Sequence, residues 1–384
     1  MRQMRMADVQ GRCDPRFEPL RAAVQGELDG GDELGLSVSV FLEGKLVADL
    51  WGGWMDAART QPWQERTITN VWSTTKTMAA LTALMLVDRG QLDLRAPVSR
   101  YWPEFAANGK ERIEVRHVLS HSSGVSGLDQ PATWQDLCDH RRAAARLAAQ
   151  APWWEPGTAS GYHALIQGHL IGELVERITG QTLGRFFSQE IAGPLGADFH
   201  IGLAPSELGR VAEIVPPPPL PLNMSELDPR SPVVRTFTGP VPDAAAANTD
   251  LWRRAEIPAA NGHGNARSVA LIQSVISNGG EINGVRLLSP NTIDLIFEEQ
   301  MRGVDLVLGV PLRWGMGYAL PEPATLAYIP DRKVCFWGGW GGSLVINDLN
   351  ARMTFAYMMN KMAPGVLGSP HSEALVRATY ACLG

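Results

Sequence analysis

The stretch Ser73-Thr74-Thr75-Lys76 stands out in a chain that uses lysine sparingly. Lys45, Lys76, Lys110, Lys333 and Lys361 are its lysines, and arginine supplies the rest of its 34 basic residues. The next run, T-M-A-A-L-T-A-L-M-L-V-D-R-G, is a continuous helical pattern that stops at Gly90, where a C-cap is expected. If Ser73 opens this helix after the strand-like T-I-T-N-V-W, Lys76 lies one turn further along the same face and its amine reaches the Ser73 hydroxyl. A serine hydroxyl is a poor nucleophile until a base takes its proton. Lysine can be that base only where burial and nearby positive potential depress its pKa. The helix N-terminus supplies the potential, and Val71, Trp72, Met78 and Leu81 supply the apolar surroundings.

The elements around this pair follow from local pattern. L-G-L-S-V-S-V-F-L-E-G-K-L-V-A-D-L-W alternates apolar and polar residues on both sides of Glu43-Gly44, a hairpin signal with a turn dipeptide at its centre. Near the other end, S-L-V-I-N-D-L-N-A-R-M-T-F-A-Y-M-M-N repeats the form around Asp348 to Asn350. An amphipathic helix is expected around Phe17 to Leu28, and a final helix is capped by Ser369 and opened by Pro370. With hairpins at both ends and helical patterns between them, the expected fold is α/β (α+β). One antiparallel sheet is built from both chain ends and flanked by helices, with a mostly helical subdomain inserted. Residues 1–384 then form one domain, in which 15–100 and 265–384 make the sheet-bearing part and 101–264 the helical part with the substrate-pocket loops. Four successive prolines in V-P-P-P-P-L-P-L, Val215 to Leu222, read as a surface loop in polyproline conformation.

Composition narrows the function classes. The 384 residues are 45% hydrophobic and 19% charged with a formal charge of -6, enough for a large core and without a basic footprint for nucleic acid or anionic lipid. No stretch approaches the apolar length of a membrane span, and the first residues carry no apolar targeting segment, so a cytoplasmic, soluble protein is expected. Cys13, Cys138, Cys335 and Cys382 are far apart and form no C-x-x-C. His117 and His121 stand at i, i+4, but Val118 occupies the place of the glutamate in H-E-x-x-H, so no metal is expected there. Neither G-x-S-x-G nor a dinucleotide fingerprint occurs, and no cofactor is expected.

Ser73-Thr74-Thr75-Lys76 matches the S-x-x-K motif, and the chain resembles the serine β-lactamase and penicillin-binding-protein superfamily, within it the class C-like family VIII carboxylesterases. E-P-G-T-A-S-G-Y-H-A-L-I-Q-G is similar to the family's second motif, and the resemblance makes Tyr162 a proton relay, or a phenolate base, beside Lys76. In F-W-G-G-W-G-G-S-L-V-I-N-D, Trp337-Gly338-Gly339 stands where β-lactamases have K-T-G. The amides of Ser73 and Trp340 would form the oxyanion hole. Two departures separate branches of the superfamily. Trp337 replaces a lysine that would bind a substrate carboxylate, and Tyr162-His163-Ala164 lacks the asparagine at its third position.

Both departures point to small, neutral acyl esters as substrates. The catalytic residues are expected to be Ser73, Lys76 and Tyr162, with Trp337, Gly338, Gly339, His163, Trp154 and Trp72 contacting substrate. Acyl transfer from the same acyl-enzyme, β-lactam or D-amino-acid amide hydrolysis, and a non-catalytic ligand-binding or acylated sensor protein are the competing readings.

Overall fold

The computed structural model describes residues 8–218 and 226–384. Both ends of the chain contribute strands. From the first part come β1 (Gln10–Cys13), β2 (Gly35–Leu42) and β3 (Lys45–Gly53). From the last come β4 (Met301–Val304), β5 (Pro311–Trp314), β6 (Ala319–Leu320), β7 (Val334–Gly338), β8 (Leu344–Asp348) and β9 (Met353–Met359). They form one antiparallel sheet in the order β1-β3-β2-β9-β8-β7-β6-β5-β4. The β2–β3 turn is the expected one: Glu43 (φ 50) and Gly44 (φ 76) both take the left-handed conformation whose twist suits a two-residue hairpin. β2 and β9 close the sheet between the chain ends, in register from Leu42↔Met353 to Leu36↔Met359.

Five helices frame the sheet and the chemistry beside it: α1 (Glu18–Gly30), α2 (Thr75–Asp88), α3 (Gln167–Thr179), α4 (Ala266–Ser277) and α5 (Pro370–Ala381). The amide of Ala266 donates to Ser37 Oγ at 3.0 Å, so the serine face of β2 meets α4. Strand alternation then turns Leu36, Val38 and Val40 to the opposite face, where α1 and α5 pack. α5 starts as expected, with Ser369 accepting from the Ser372 amide and Pro370 in the first turn. α2 is buried from Thr75 to Leu86 because its sequence is apolar or small on every side. It ends in a positive-φ Gly90, with Gln91 N–H bonding back to Leu86 O at 2.9 Å.

Some elements carry too few residues to show a period. A small three-stranded sheet of Thr69–Asn70, Gly262–Gly264 and Phe199–Ile201 is of this kind, as is β6. Of the proline run, Pro216 to Pro218 lie in irregular chain just after a bridge from Val215 to Lys361, and 219–222 lie outside the described residues.

One buried carboxylate ties the chain ends together. Glu33 accepts from Tyr357 Oη on β9, beside His371, itself 2.5 Å from Glu27. Burial pushes the Glu33 carboxyl up to about 7, against the pull of the Tyr357 hydrogen bond and His371. A raised acid pKa means the folded state holds the proton more tightly. Stability from this group is therefore complete below the ordinary glutamate range and is lost as pH rises to about 7, by roughly 3 kcal/mol at 1.36 kcal/mol per pKa unit. Glu33→Gln keeps an acceptor for Tyr357 without the charge. Denaturant melts across pH should show it more stable than wild type above neutrality and nearly equal in acid; a parallel pH dependence in both proteins would contradict the assignment.

Candidate active site

Val71-Trp72-Ser73 makes a tight turn into α2. Trp72 sits at φ 50, a conformation that bulky residues rarely adopt, and is held between Trp252 (ring centroids 5.4 Å) and Trp340 (5.2 Å). Thr75 Oγ1 donates to Trp72 O at 2.5 Å, and Ser343 Oγ donates to Val71 O at 2.9 Å while lying 3.0 Å from Thr74 Oγ1. The helix proper begins at Thr75, so Ser73 stands in the turn just before it, with Lys76 N–H bonding Ser73 O at 3.0 Å. That turn brings the Lys76 amine to 3.0 Å from Ser73 Oγ.

Lys76 is 2% exposed and faces no carboxylate. Its Nζ lies 2.7 Å from Ala164 O and 2.9 Å from Ala259 O. Burial alone drives its pKa well below the ordinary lysine value. A neutral amine has two N–H donors and one lone pair. The two carbonyls take both donors, which leaves the lone pair for the Ser73 hydroxyl proton. An ammonium could fill the same three contacts with its three donors, so it is burial without a carboxylate partner that favours the uncharged base.

Tyr162 closes the other side. Its ring centroid is 4.7 Å from Lys76 Nζ, and its hydroxyl accepts from Trp337 Nε1 at 3.1 Å and hydrogen-bonds Ser73. Burial pushes the phenol well above its ordinary pKa, outweighing both hydrogen bonds, and the nearby Asp305 charge pushes the same way. A resting phenolate is therefore disfavoured, and of the two expected roles the proton relay is the one the surroundings suit. An aromatic shell fixes the ring: His121 at 4.9 Å, Trp337 at 5.2 Å and Trp314 parallel at 6.3 Å.

The W-G-G segment runs off the end of β7. Gly338 is its last residue, and a Cβ on Gly339 would sit 2.5 Å from Val71 O and 2.9 Å from Trp72 Cβ, so only glycine lets the strand lie against the serine turn. Neither the Ser73 nor the Trp340 amide has a hydrogen-bond partner among the described residues. Trp340 is partly exposed, whereas Trp337 and Trp72 are 2% and 3% exposed. Trp337 was expected to face substrate with its indole donor; that donor instead holds Tyr162.

His163 corrects a sequence expectation. It is fully buried, with Nε2 2.6 Å from Ser123 Oγ and Nδ1 donating to Gly161 O at 2.6 Å. With both nitrogens bonded inside the protein and burial holding its pKa down to about 3, it is a neutral structural residue that substrate does not reach. Trp154 lies behind it, its indole donating to Ala159 O at 3.0 Å and covering Gly161, where a Cβ would meet the ring at 2.5 Å. His121 accepts from the His163 amide at 3.0 Å and packs on Tyr162.

Asp305 carried no sequence signal. It sits in the β4–β5 hairpin, fully buried, and its Oδ1 accepts from the amides of Tyr162, Val307 and Leu308, each at 3.0 Å. The amide of Leu306 returns a bond to Ser160 O at 2.8 Å, so this turn clamps the chain on which Tyr162 stands.

The family model for Beta-lactamase matches residues 20–378. The chain belongs to the β-lactamase family. It is 36% identical over 375 residues to the esterase/beta-lactamase LipL of Mycobacterium tuberculosis, a match covering 95% of this chain and 86% of that one. Among solved structures, a family VIII carboxylesterase superposes with a TM-score of 0.92 at 40% identity, covering 97% of this chain and 99% of the other. A penicillin-binding-protein homologue from Caulobacter crescentus superposes with a TM-score of 0.90 at 38% identity, covering 98% and 100%. The fold is thus that of β-lactamases and penicillin-binding proteins. Among the described residues no helix is long and apolar enough to cross a membrane.

If Asp305 sets the position of Tyr162, its removal should slow covalent labelling of Ser73 by a fluorophosphonate by about a hundredfold, the scale of a small misplacement in an active site. Asp305→Asn, which keeps an acceptor oxygen for the three amides, should label faster than Asp305→Ala. Mass spectrometry of labelling time courses measures both. Wild-type rates in Asp305→Ala would remove the residue from the account.

Proposed function

We propose that the protein is a serine carboxylesterase that hydrolyses small, neutral, short-chain acyl esters through an acyl-enzyme on Ser73. The observation that carries this reading is the buried Lys76 amine, bonded to two carbonyls and turned to Ser73 Oγ at 3.0 Å. Ser73 Oγ attacks the ester carbonyl while its proton passes to Lys76 Nζ. The developing oxyanion is received by the amides of Ser73 and Trp340, two backbone donors without partners among the described residues. Tyr162 passes its hydroxyl proton to the departing alkoxide and regains one from Lys76. Water, activated by the same pair, then releases the acyl group and restores Ser73.

The groups missing from the site set its substrate class. Its third motif offers no cation, and the Trp337 donor is engaged by Tyr162, so a penicillin or peptide carboxylate finds no charge-assisted partner there. Ala164 contributes only its backbone carbonyl, and that goes to Lys76. The names carried by LipL and by the family VIII carboxylesterase agree with ester hydrolysis. In this reading the cleft lies between the sheet-bearing part (15–100 with 265–384), which supplies Ser73, Lys76 and Trp340, and the helical part (101–264), which supplies Tyr162. A cytoplasmic setting is part of the proposal, supported by four cysteines that are all unpaired.

p-Nitrophenyl esters from acetate to decanoate, run beside nitrocefin, test the proposal. Wild type should turn over the short esters and barely cleave nitrocefin, and Ser73→Ala should abolish turnover. Lys76→Arg, permanently protonated, should lower kcat/KM by about 10²- to 10⁴-fold, the contribution of a positioned base. Because burial lowers the Lys76 pKa, wild-type kcat/KM should fall only as pH drops through that depressed value and should be flat up to the range where free lysine titrates. Turnover in Ser73→Ala would end the assignment. Faster nitrocefin than ester cleavage would favour a β-lactamase, and a stable acyl adduct without turnover would favour a transferase or a binding protein.

A further inference from the structure

A second cluster of chemically able side chains lies away from Ser73, where the helix His140–Ala149 packs on α3. α3 carries His169, Gly172, Glu173 and Glu176, which its helical spacing gathers on neighbouring turns. Gly172 lets the imidazole of His140 lie close to the helix: a Cβ there would be 3.0 Å from His140 Cε1. His140 Nε2 is then 3.2 Å from Glu173 Oε2 and 3.8 Å from Glu176 Oε2, and the three atoms lie within 4.8 Å of one another.

The remaining atoms of these side chains are held from outside. Glu173 Oε1 accepts from Arg177 Nε at 2.8 Å, and Glu176 Oε1 faces Arg141 at 3.8 Å, so each glutamate turns its second oxygen toward His140. On the other edge of the ring, His140 Nδ1 meets Nδ1 of the fully buried His169 at 3.2 Å. When His140 donates in that contact its Nε2 is a bare acceptor aimed at two carboxylates. Nε2 is closed to water and has no neighbours to bond but the two carboxylates, Glu173 Oε2 being near enough to take a proton from it. Something positive must stand among these three atoms: a proton on Nε2 serves Glu173 at 3.2 Å, whereas a metal ion serves both carboxylates at once.

The separations suit a metal ion. Around an ion with bonds of about 2.0–2.2 Å to nitrogen and carboxylate oxygen, tetrahedral ligands sit about 3.4 Å apart, between the two measured values. Local charge also suits a cation, since Glu104, also paired with Arg177, joins Glu173 and Glu176 against Arg141 and Arg177. A groove of about 620 Å³ lined by Trp102, Arg141, Glu173, Glu176 and Arg177 opens beside the cluster and gives a water ligand room.

We propose that His140 Nε2, Glu173 Oε2 and Glu176 Oε2 bind one divalent transition-metal ion of the Zn²⁺ class, with water completing the shell. His169 orients His140 through Nδ1, the role of a group behind a metal-bound histidine. Bound there, the ion pins the helix His140–Ala149 to α3. It is separate from the ester chemistry, which needs no ion.

The test uses the full-length, tag-free protein, stripped with a chelator and titrated with Co²⁺ and then Zn²⁺. One equivalent of Co²⁺ should give visible d–d absorption that Zn²⁺ bleaches, with equilibrium dialysis returning one ion per chain. His140→Ala and Glu176→Gln should each weaken binding by at least about tenfold, and His169→Gln by about 10- to 100-fold, while circular dichroism and ester turnover stay at wild-type level. Substoichiometric binding by wild type, or equal binding in His140→Ala and Glu176→Gln, would overturn the proposal and leave the cluster as an ion-pair network.

Discussion

A lysine amine kept out of water is the constraint on which the rest of the structure depends. Lys76 can act as a base only if its charge is disfavoured, and no nearby cation does this; burial does. Burial in turn requires α2 to be covered on every side, by α3, by the inner strands and by the chain near Ala259. The carbonyls of Ala164 and Ala259 then complete the polar contacts that an uncharged amine needs. Closing the sheet between β2 and β9 therefore matters to chemistry as well as to stability, because it joins the two chain ends around this helix.

The second consequence is a division of labour among aromatic residues. Trp72 holds a strained turn, Trp337 holds the Tyr162 hydroxyl, and Trp314 and His121 hold its ring, leaving Trp340 as the more exposed ring beside the serine turn. A lysine at position 337 would bring a charge next to Lys76 and Tyr162. An indole there gives one directed donor in an apolar setting, which suits a neutral ester more than an anionic substrate.

Much of this was legible in the sequence because it depends on local spacing. The Glu43-Gly44 hairpin, the Ser369-Pro370 helix start, the Ser73–Lys76 pair and the Trp337-Gly338-Gly339 run each announce themselves within a few residues. What was missed depends on distant partners. His163 stands beside Tyr162 in sequence, yet Ser123 and Gly161 enclose it, so adjacency suggested a substrate contact that the packing denies. Asp305 reads as one acid in a hairpin turn, and only the fold brings Tyr162 N–H to it. The indole donor of Trp337 could be counted from sequence but not aimed. His140 and the α3 glutamates are separated by about thirty residues of sequence and carry no metal-binding pattern in either segment.

The most direct measurement is the ionisation of Lys76 itself. The chain has five lysines, so side-chain NMR of isotope-labelled lysine, assigned with Lys76→Arg, can follow each amine across pH. The expected result is a resonance, missing in that variant, that titrates far below the exposed lysines and reports a neutral amine at the pH of catalysis. A Lys76 signal titrating with the exposed lysines, near pH 10.4, would mean an ammonium beside Ser73 and would contradict the account at its centre.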